Sequence, residues 1–145
     1  MQTNTQFALA IHILTLLAQA EREPATSEFV AGSVNTNPAF IRRILGLLQR
    51  SGLVASQSGV GGGWRLRRAA GAITLLEVFR AVESGNLLAL HRRPPNPRCP
   101  IGRNIGRALR VSFGEAESAF ERALANQTVD QVLRTALADQ HEEAS

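Results

Sequence analysis

Arg42, Arg43, Arg50, Arg65, Arg67 and Arg68 fall in a stretch, from Phe29 to Leu76, that holds no aspartate or glutamate. A guanidinium is a planar fork of donors that meets guanine O6 and N7, or a phosphate, through two parallel hydrogen bonds. Six such groups without a neighbouring carboxylate point to a polyanion as partner. All 16 basic residues are arginine, and the chain carries a formal net charge of +4. From Glu115 onward the balance reverses: Glu115, Glu117, Glu121, Asp130, Asp139, Glu142 and Glu143 face only Arg122 and Arg134. One region is therefore suited to an anion and another to a different task.

Other chemistry finds less support. Gly59-Val60-Gly61-Gly62-Gly63 is glycine-rich like a phosphate loop. It lacks the Gly-Lys-Ser/Thr ending of one nucleotide motif, and it does not open a helix as the other requires. His12, His91 and His141 are scattered without metal-ligand spacing, and no acid–base constellation exists, so an enzyme is not expected. The single cysteine, Cys99, rules out an intrachain disulfide and a multi-cysteine metal site. It precedes Pro100 at a helix start, between Arg98 and Arg103, the kind of position where reactive cysteines occur. Two kinds of reading stand for it: a reactive thiol, serving as a redox or electrophile sensor or between subunits, or a capping or packing residue, which is the favoured one.

The elements that must position the arginines are legible from periodicity. Phe7, Ile11, Leu14 and Ala18, widened by Ile13, Leu16 and Leu17, predict a first helix over Thr5–Gln19, ended by a loop at Glu21–Ala25. A short helix over Ser27–Val34, capped by Thr26 or Ser27, leads to a turn at Asn35–Asn37. The next helix opens with Asn37 as cap and Pro38 in the first position, and Ile41, Ile44, Leu45 and Leu48 give it one apolar stripe before Gly52 ends it. Leu53–Gln57 and Trp64–Arg67 read as a β-hairpin with a glycine tip. Thr74 and Glu77 form a capping box, with Ile73 and Val78 as its staple, for a helix reaching Glu83. Residues 84–98 are irregular. A long helix over Pro100–Ala125 follows, with Ile101, Ile105, Leu109, Phe113, Ala116, Phe120 and Ala123 along one seam. At roughly 40 Å it is too long for this domain to cover, so a second copy is the expected cover. Thr128 and Gln131 cap a last amphipathic helix to about Gln140.

Helix, turn, helix and hairpin in that order make a winged helix-turn-helix. The fold class is mainly α with a small β-hairpin, plus a long C-terminal dimerisation helix. Expected domains are a DNA-binding part (1–83), an irregular sensor or linker loop (84–99), and the dimerisation and C-terminal helices (100–145). The second helix of such a unit enters the major groove. The candidate DNA-binding residues are Thr36, Asn37, Ala39, Phe40, Arg42, Arg43 and Arg50, with Ser58, Gly59, Val60, Gly61 and Arg65 in the wing; Arg67 and Arg68 would flank it as further phosphate neutralisers. Residues at the helix start should reach base edges, Phe40 a thymine methyl, and Arg50 a phosphate. With 44% hydrophobic residues the chain can build a core, and no apolar run is long enough to span a bilayer. Met1–Asn4 carries no cationic leader, so a cytoplasmic protein without membrane contact is expected.

The segments Val34–Pro38, Ile41–Leu45, Ser51–Val54, Gly59–Trp64 and Ile73–Val78 resemble the Rrf2 family of bacterial regulators. Leu90-His91 and Asn96–Ile105 are similar to the subgroup that lacks the family's iron–sulfur cluster. The resemblance covers nearly the whole chain. It implies a winged-helix dimer, a long dimerisation helix and a palindromic operator. By position, Ala39, Phe40 and Arg43 match the family's base-reading residues, and Ser58 stands where the iron–sulfur regulator has a minor-groove arginine. Cluster-binding members use three cysteines before the long helix; with Cys99 alone, no cofactor is expected. The resulting expectation is a repressor that binds double-stranded DNA as a homodimer and answers to a small-molecule or redox effector, with Cys99 and His91 as candidate sensor residues. The alternative is an adaptor module that binds an acidic protein surface.

Overall fold

The computed structural model describes residues 5–20 and 23–143, the last five of them as helix backbone only. Met1–Asn4, the loop residues Glu21 and Arg22, and the side chains of Asp139, His141, Glu142 and Glu143 lie outside the described residues. The elements are α1 (Gln6–Ala20), α2 (Ser27–Val34), α3 (Pro38–Arg50), β1 (Val54–Gln57), β2 (Gly63–Leu66), a single 3₁₀ turn (Ala70–Ala72), α4 (Leu75–Val82), α5 (Pro100–Ala125) and α6 (Val129–Glu143). The chain through Ser84, joined by the part from Leu124 onward, forms one compact unit; Gly85–Ala123 forms a second.

In the first unit α1 is the central rod, touching α2, α3, α4, β2 and α6. Its deeply buried ridge is Ala10, Ile13, Leu14 and Leu17. The stripe expected through Phe7, Ile11 and Ala18 is turned part of a step, and these three are half-buried at the margin. Neighbours on several sides explain the difference, since a helix packed all round buries more than one stripe. Around it lie Val30, Ile41, Ile44, Leu45, Leu48, Leu53, Val54, Ile73, Val78 and Val129, all essentially without solvent exposure. No buried side-chain polar atom lacks a hydrogen-bond partner among the described residues. Phe7 and Phe79 meet edge-on, with ring centres 5.2 Å apart.

Two helix starts lie side by side. Thr74 Oγ1 accepts the Glu77 N–H at 3.2 Å, and Thr128 Oγ1 accepts that of Gln131 at 3.2 Å. Between them the Leu75 N–H donates to Gln127 O and the Val129 N–H to Ile73 O, closing a short antiparallel bridge. This bridge seats α6 on the winged unit. Gln131 completes its box by accepting the Thr128 N–H at 3.0 Å. Glu77 instead receives the Arg68 guanidinium, which also donates to Ala72 O at 3.3 Å. Arg68, read from the sequence as a phosphate neutraliser, thus has an acid partner within its own chain, at the surface.

The second unit holds the irregular segment and most of α5. The segment is tied to the helix at separate points: the Leu88 N–H donates to Glu117 Oε1 at 3.1 Å, and the Asn96 carbonyl sits where a side chain on Gly102 would collide with it. No residue of α5 is buried. Ile101 and Val111 are 73% and 63% exposed, so the helix is only partly covered by its own chain.

The Arg68 guanidinium, foremost through its hydrogen bond, holds the Glu77 carboxyl below the usual carboxylate range. The folded pKa is lower than the unfolded one, so the stabilisation is complete above the unfolded value and fades as pH falls through the folded value. The pair is 42% and 38% exposed, so solvent screening keeps its worth small. Glu77→Gln is expected to lower stability by about 1 kcal/mol at neutral pH, the upper end for such a pair. Urea unfolding at neutral pH and well below the carboxylate range checks this: the gap between parent and variant must shrink in acid.

Candidate nucleic-acid interface

The helix-turn-helix is set by caps. Thr26 Oγ1 accepts the Phe29 N–H at 3.1 Å and starts α2. Asn35 ends it in the left-handed conformation, φ 59°, which asparagine tolerates better than most residues. The Thr36 N–H then reaches back to Ala31 O at 3.2 Å. Asn37 Oδ1 accepts the Ala39 N–H at 2.7 Å, with Pro38 as the first residue of α3. Asn37 therefore uses its carbonyl oxygen on its own helix and keeps only its amide NH₂ to offer outward.

Burial of Ile41, Ile44, Leu45 and Leu48 fixes which side of α3 faces solvent. Ala39, Arg42, Arg43, Gln49 and Arg50 are exposed, as is Asn37; Thr36 is half-buried. Among the described residues no carboxylate pairs with Arg42, Arg43 or Arg50. Phe40 differs from its companions: it is half-buried and leans on the core, leaving part of its ring accessible.

The wing pairs Val54 with Leu66, Ala55 with Arg65, Ser56 with Trp64 and Gln57 with Gly63. A third strand position joins it. Ala25 exchanges both backbone hydrogen bonds with Trp64, at 2.9 and 2.8 Å, and the Trp64 indole N–H donates to Ser27 Oγ at 3.3 Å. The wing is thereby tied to the start of α2. Gly63 sits at φ 151°, and a Cβ there would come within 2.6 Å of Ala25 O. At the tip, Ser58, Gly59, Val60 and Gly61 are exposed, with Val60 fully extended into solvent. Arg65 is exposed and donates to Gln57 Oε1 at 2.5 Å; Arg67 is exposed and forms no ion pair with an acid among the described residues.

The α3 arginines and the wing belong to the one compact unit; His91 and Cys99 belong to the other. Both are exposed, and no hydrogen bond or ion pair joins them. Cys99 Sγ accepts the Gly102 N–H at 3.4 Å, a capping contact, although the thiol is not buried. A second acid-free run escaped the sequence reading. Between Glu83 and Glu115 lie Arg92, Arg93, Arg98, Arg103, Arg107 and Arg110, all exposed. The criterion that singled out the first run would have found it.

Comparison with known proteins places this geometry. The family model for Rrf2, described as an iron-dependent transcriptional regulator, matches residues 3–135. YwnA of Bacillus subtilis, named as an HTH-type transcriptional regulator, is 40% identical over 131 residues, covering 90% of this chain and 96% of its own. A crystal structure described as that of a DNA binding protein is 36% identical, covers 88% of this chain and 98% of its own, and has a TM-score of 0.72. CymR, the global cysteine regulator of B. subtilis, shares the fold at a TM-score of 0.72 and 20% identity, over 93% of this chain and 98% of its own. The donor set does not fit the iron in the family's description. The chain has one cysteine, and no three His, Cys, Asp or Glu residues cluster among the described residues.

The Gly63 contact generates a test of how the wing is held. Gly63→Ala must displace the Ala25 strand or strain the backbone, and is expected to destabilise the protein by about 2 kcal/mol, the scale of such conflicts. Hydrogen exchange at the Ala25 and Trp64 amides should accelerate more than at the α1 core. Unchanged thermal stability would show the wing to be loosely attached.

Proposed function

Since the chain belongs to the Rrf2 family, whose winged-helix members are DNA-binding transcriptional regulators and not enzymes, we propose that it is a homodimeric repressor reading a palindromic operator. The observation that carries this reading is the solvent face of α3, where Arg42 and Arg43 stand exposed and unpaired opposite a fully buried apolar face. Set in the major groove, Asn37, Ala39, Phe40, Arg42 and Arg43 reach base edges, while Thr36 and Arg50 meet backbone. The wing follows the neighbouring backbone or minor groove with Ser58, Gly59, Val60, Gly61 and Arg65. Repression needs least of the chain, since an occupied groove excludes other proteins from the same site. No helix among the described residues is long and apolar enough to cross a membrane, which suits action in the cytoplasm.

Dimerisation is supported by α5. Its seam is not buried in the single chain: Ile101 is exposed, and Ile105, Leu109, Phe113 and Phe120 are only half-buried. Its charges are largely sorted along its length, with Arg103, Arg107 and Arg110 early and Glu115, Glu117 and Glu121, beside Arg122, late. An antiparallel partner brings the basic half of one helix onto the acidic half of the other. A two-fold dimer presents two copies of α3 to two half-sites about one helical turn apart.

Selection of bound genomic fragments, followed by footprinting, tests the function. A protected palindrome is expected, and its absence refutes the reading. Arg42→Glu with Arg43→Glu should weaken operator binding at least about 100-fold, since each bidentate base contact is worth about 1–3 kcal/mol. Parent affinity should fall steeply with salt, by about 0.9 log unit per log unit of salt for each neutralised phosphate. Phe113→Asp should sediment as a monomer with an intact helix content and lose most of its operator affinity. A dimer that survives this substitution refutes the α5 seam.

A further inference from the structure

A cleft of about 700 Å³ opens in the winged unit between the end of α1, the strand β2 with the residues after it, and the first turns of α6. Small-molecule sites span roughly 300–1,000 Å³, so the space is adequate for a ligand. Leu17, Leu66 and Leu133 give it apolar wall. Its charges do not cancel. Arg68 is held by Glu77, and Arg134 by Asp130 at 2.7 Å, which neutralises two of its arginines. Among the described residues, what remains is Arg65 and Arg67 against the carboxylate of Glu23. Arg65 is bonded only to the neutral Gln57, and no acid pairs with Arg67 among the described residues.

We propose that this cleft is an effector site for an amphipathic anion, a compact apolar body bearing one carboxylate, sulfonate or phosphate, and that its occupation opposes DNA binding. Two planar forks beside a hydrocarbon wall match both parts of such a molecule. The antagonism rests on the functional reading above, in which Arg65 meets the DNA backbone. A guanidinium turned to a ligand anion is withdrawn from phosphate. A ligand that spans β2 and α6 also holds the base of the wing in one position. Linkage makes the effect reciprocal: DNA must weaken the ligand by the same factor.

Titration of the full chain with 1-anilinonaphthalene-8-sulfonate, followed by fluorescence, tests the site directly. Saturable binding with one probe per chain is expected. Arg67→Gln should weaken it about tenfold, the worth of one charge-assisted hydrogen bond. Ala69→Glu places a carboxylate at the exposed rim and should weaken it more. Circular dichroism and unfolding temperature must match the parent for both; a variant that fails this is replaced by Arg67→Ala or Ala69→Asp. Binding that is not saturable, or that ignores both substitutions, overturns the site. In a second arm, the probe at about nine times its dissociation constant should weaken binding to a genomic duplex about tenfold by competition. The Ala69→Glu protein should bind that duplex and ignore the probe. A probe that fills the cleft yet leaves DNA affinity unchanged overturns the antagonism alone. A parent protein that binds no duplex overturns the functional reading and the antagonism together, while the direct titration still decides the cleft.

Discussion

The two-faced burial of α3 is the constraint on which the rest depends. Ile41, Ile44, Leu45 and Leu48 have no solvent exposure, and each such side chain contributes about 1.5–3 kcal/mol when removed from water. That is enough to fix the rotation of a 13-residue helix about its own axis. Once the rotation is fixed, Arg42, Arg43 and Arg50 have nowhere to go but outward. A reader of base edges must arrive with its donors already aimed, because ordering long side chains during binding subtracts from affinity. The apolar stripe and the arginine face are therefore one device seen from opposite sides.

The same logic holds the wing. A lone two-stranded hairpin is marginal in water, and this one has only four residues in each strand. The Ala25 bridge to Trp64 supplies a third strand position, and the indole lies against the core. Gly63 is what lets the two backbones approach. The result is a stiff base and a glycine tip that carries an exposed Val60.

Most of the fold was legible because its signals are local. Asn37-Pro38, Thr74…Glu77 and Thr128…Gln131 mark helix starts through hydrogen bonds within four residues, and all three caps are present. Pro100–Ala125 followed from a seam repeated over seven turns. Pairings between distant segments were not legible. Nothing in Ala25 announces that it joins the wing, and nothing in Gln127 or Ile73 announces the bridge that seats α6. The contact of Phe40 with the core and the pairing of Arg68 with Glu77 were illegible for the same reason. Periodicity tells which way a side chain sets out; the partner that waits there comes from another part of the chain.

Arginine charge is the place where this distinction matters most for function. In sequence, Arg65, Arg67 and Arg68 are three members of one basic cluster. In the structure Arg68 is paired with Glu77, Arg65 is bonded to an uncharged amide, and Arg67 has no ion-pair partner among the described residues. A net charge of +4 is thus a poor guide to where an anion binds. Each ion pair removes one arginine from the surface field and hands it to the architecture, as Arg134 with Asp130 also shows. Within the winged unit, the arginines without an acid partner among the described residues include those on the face of α3 and those along β2. Those are the positions where the fold supplies no anion of its own, and where one from outside meets the least competition.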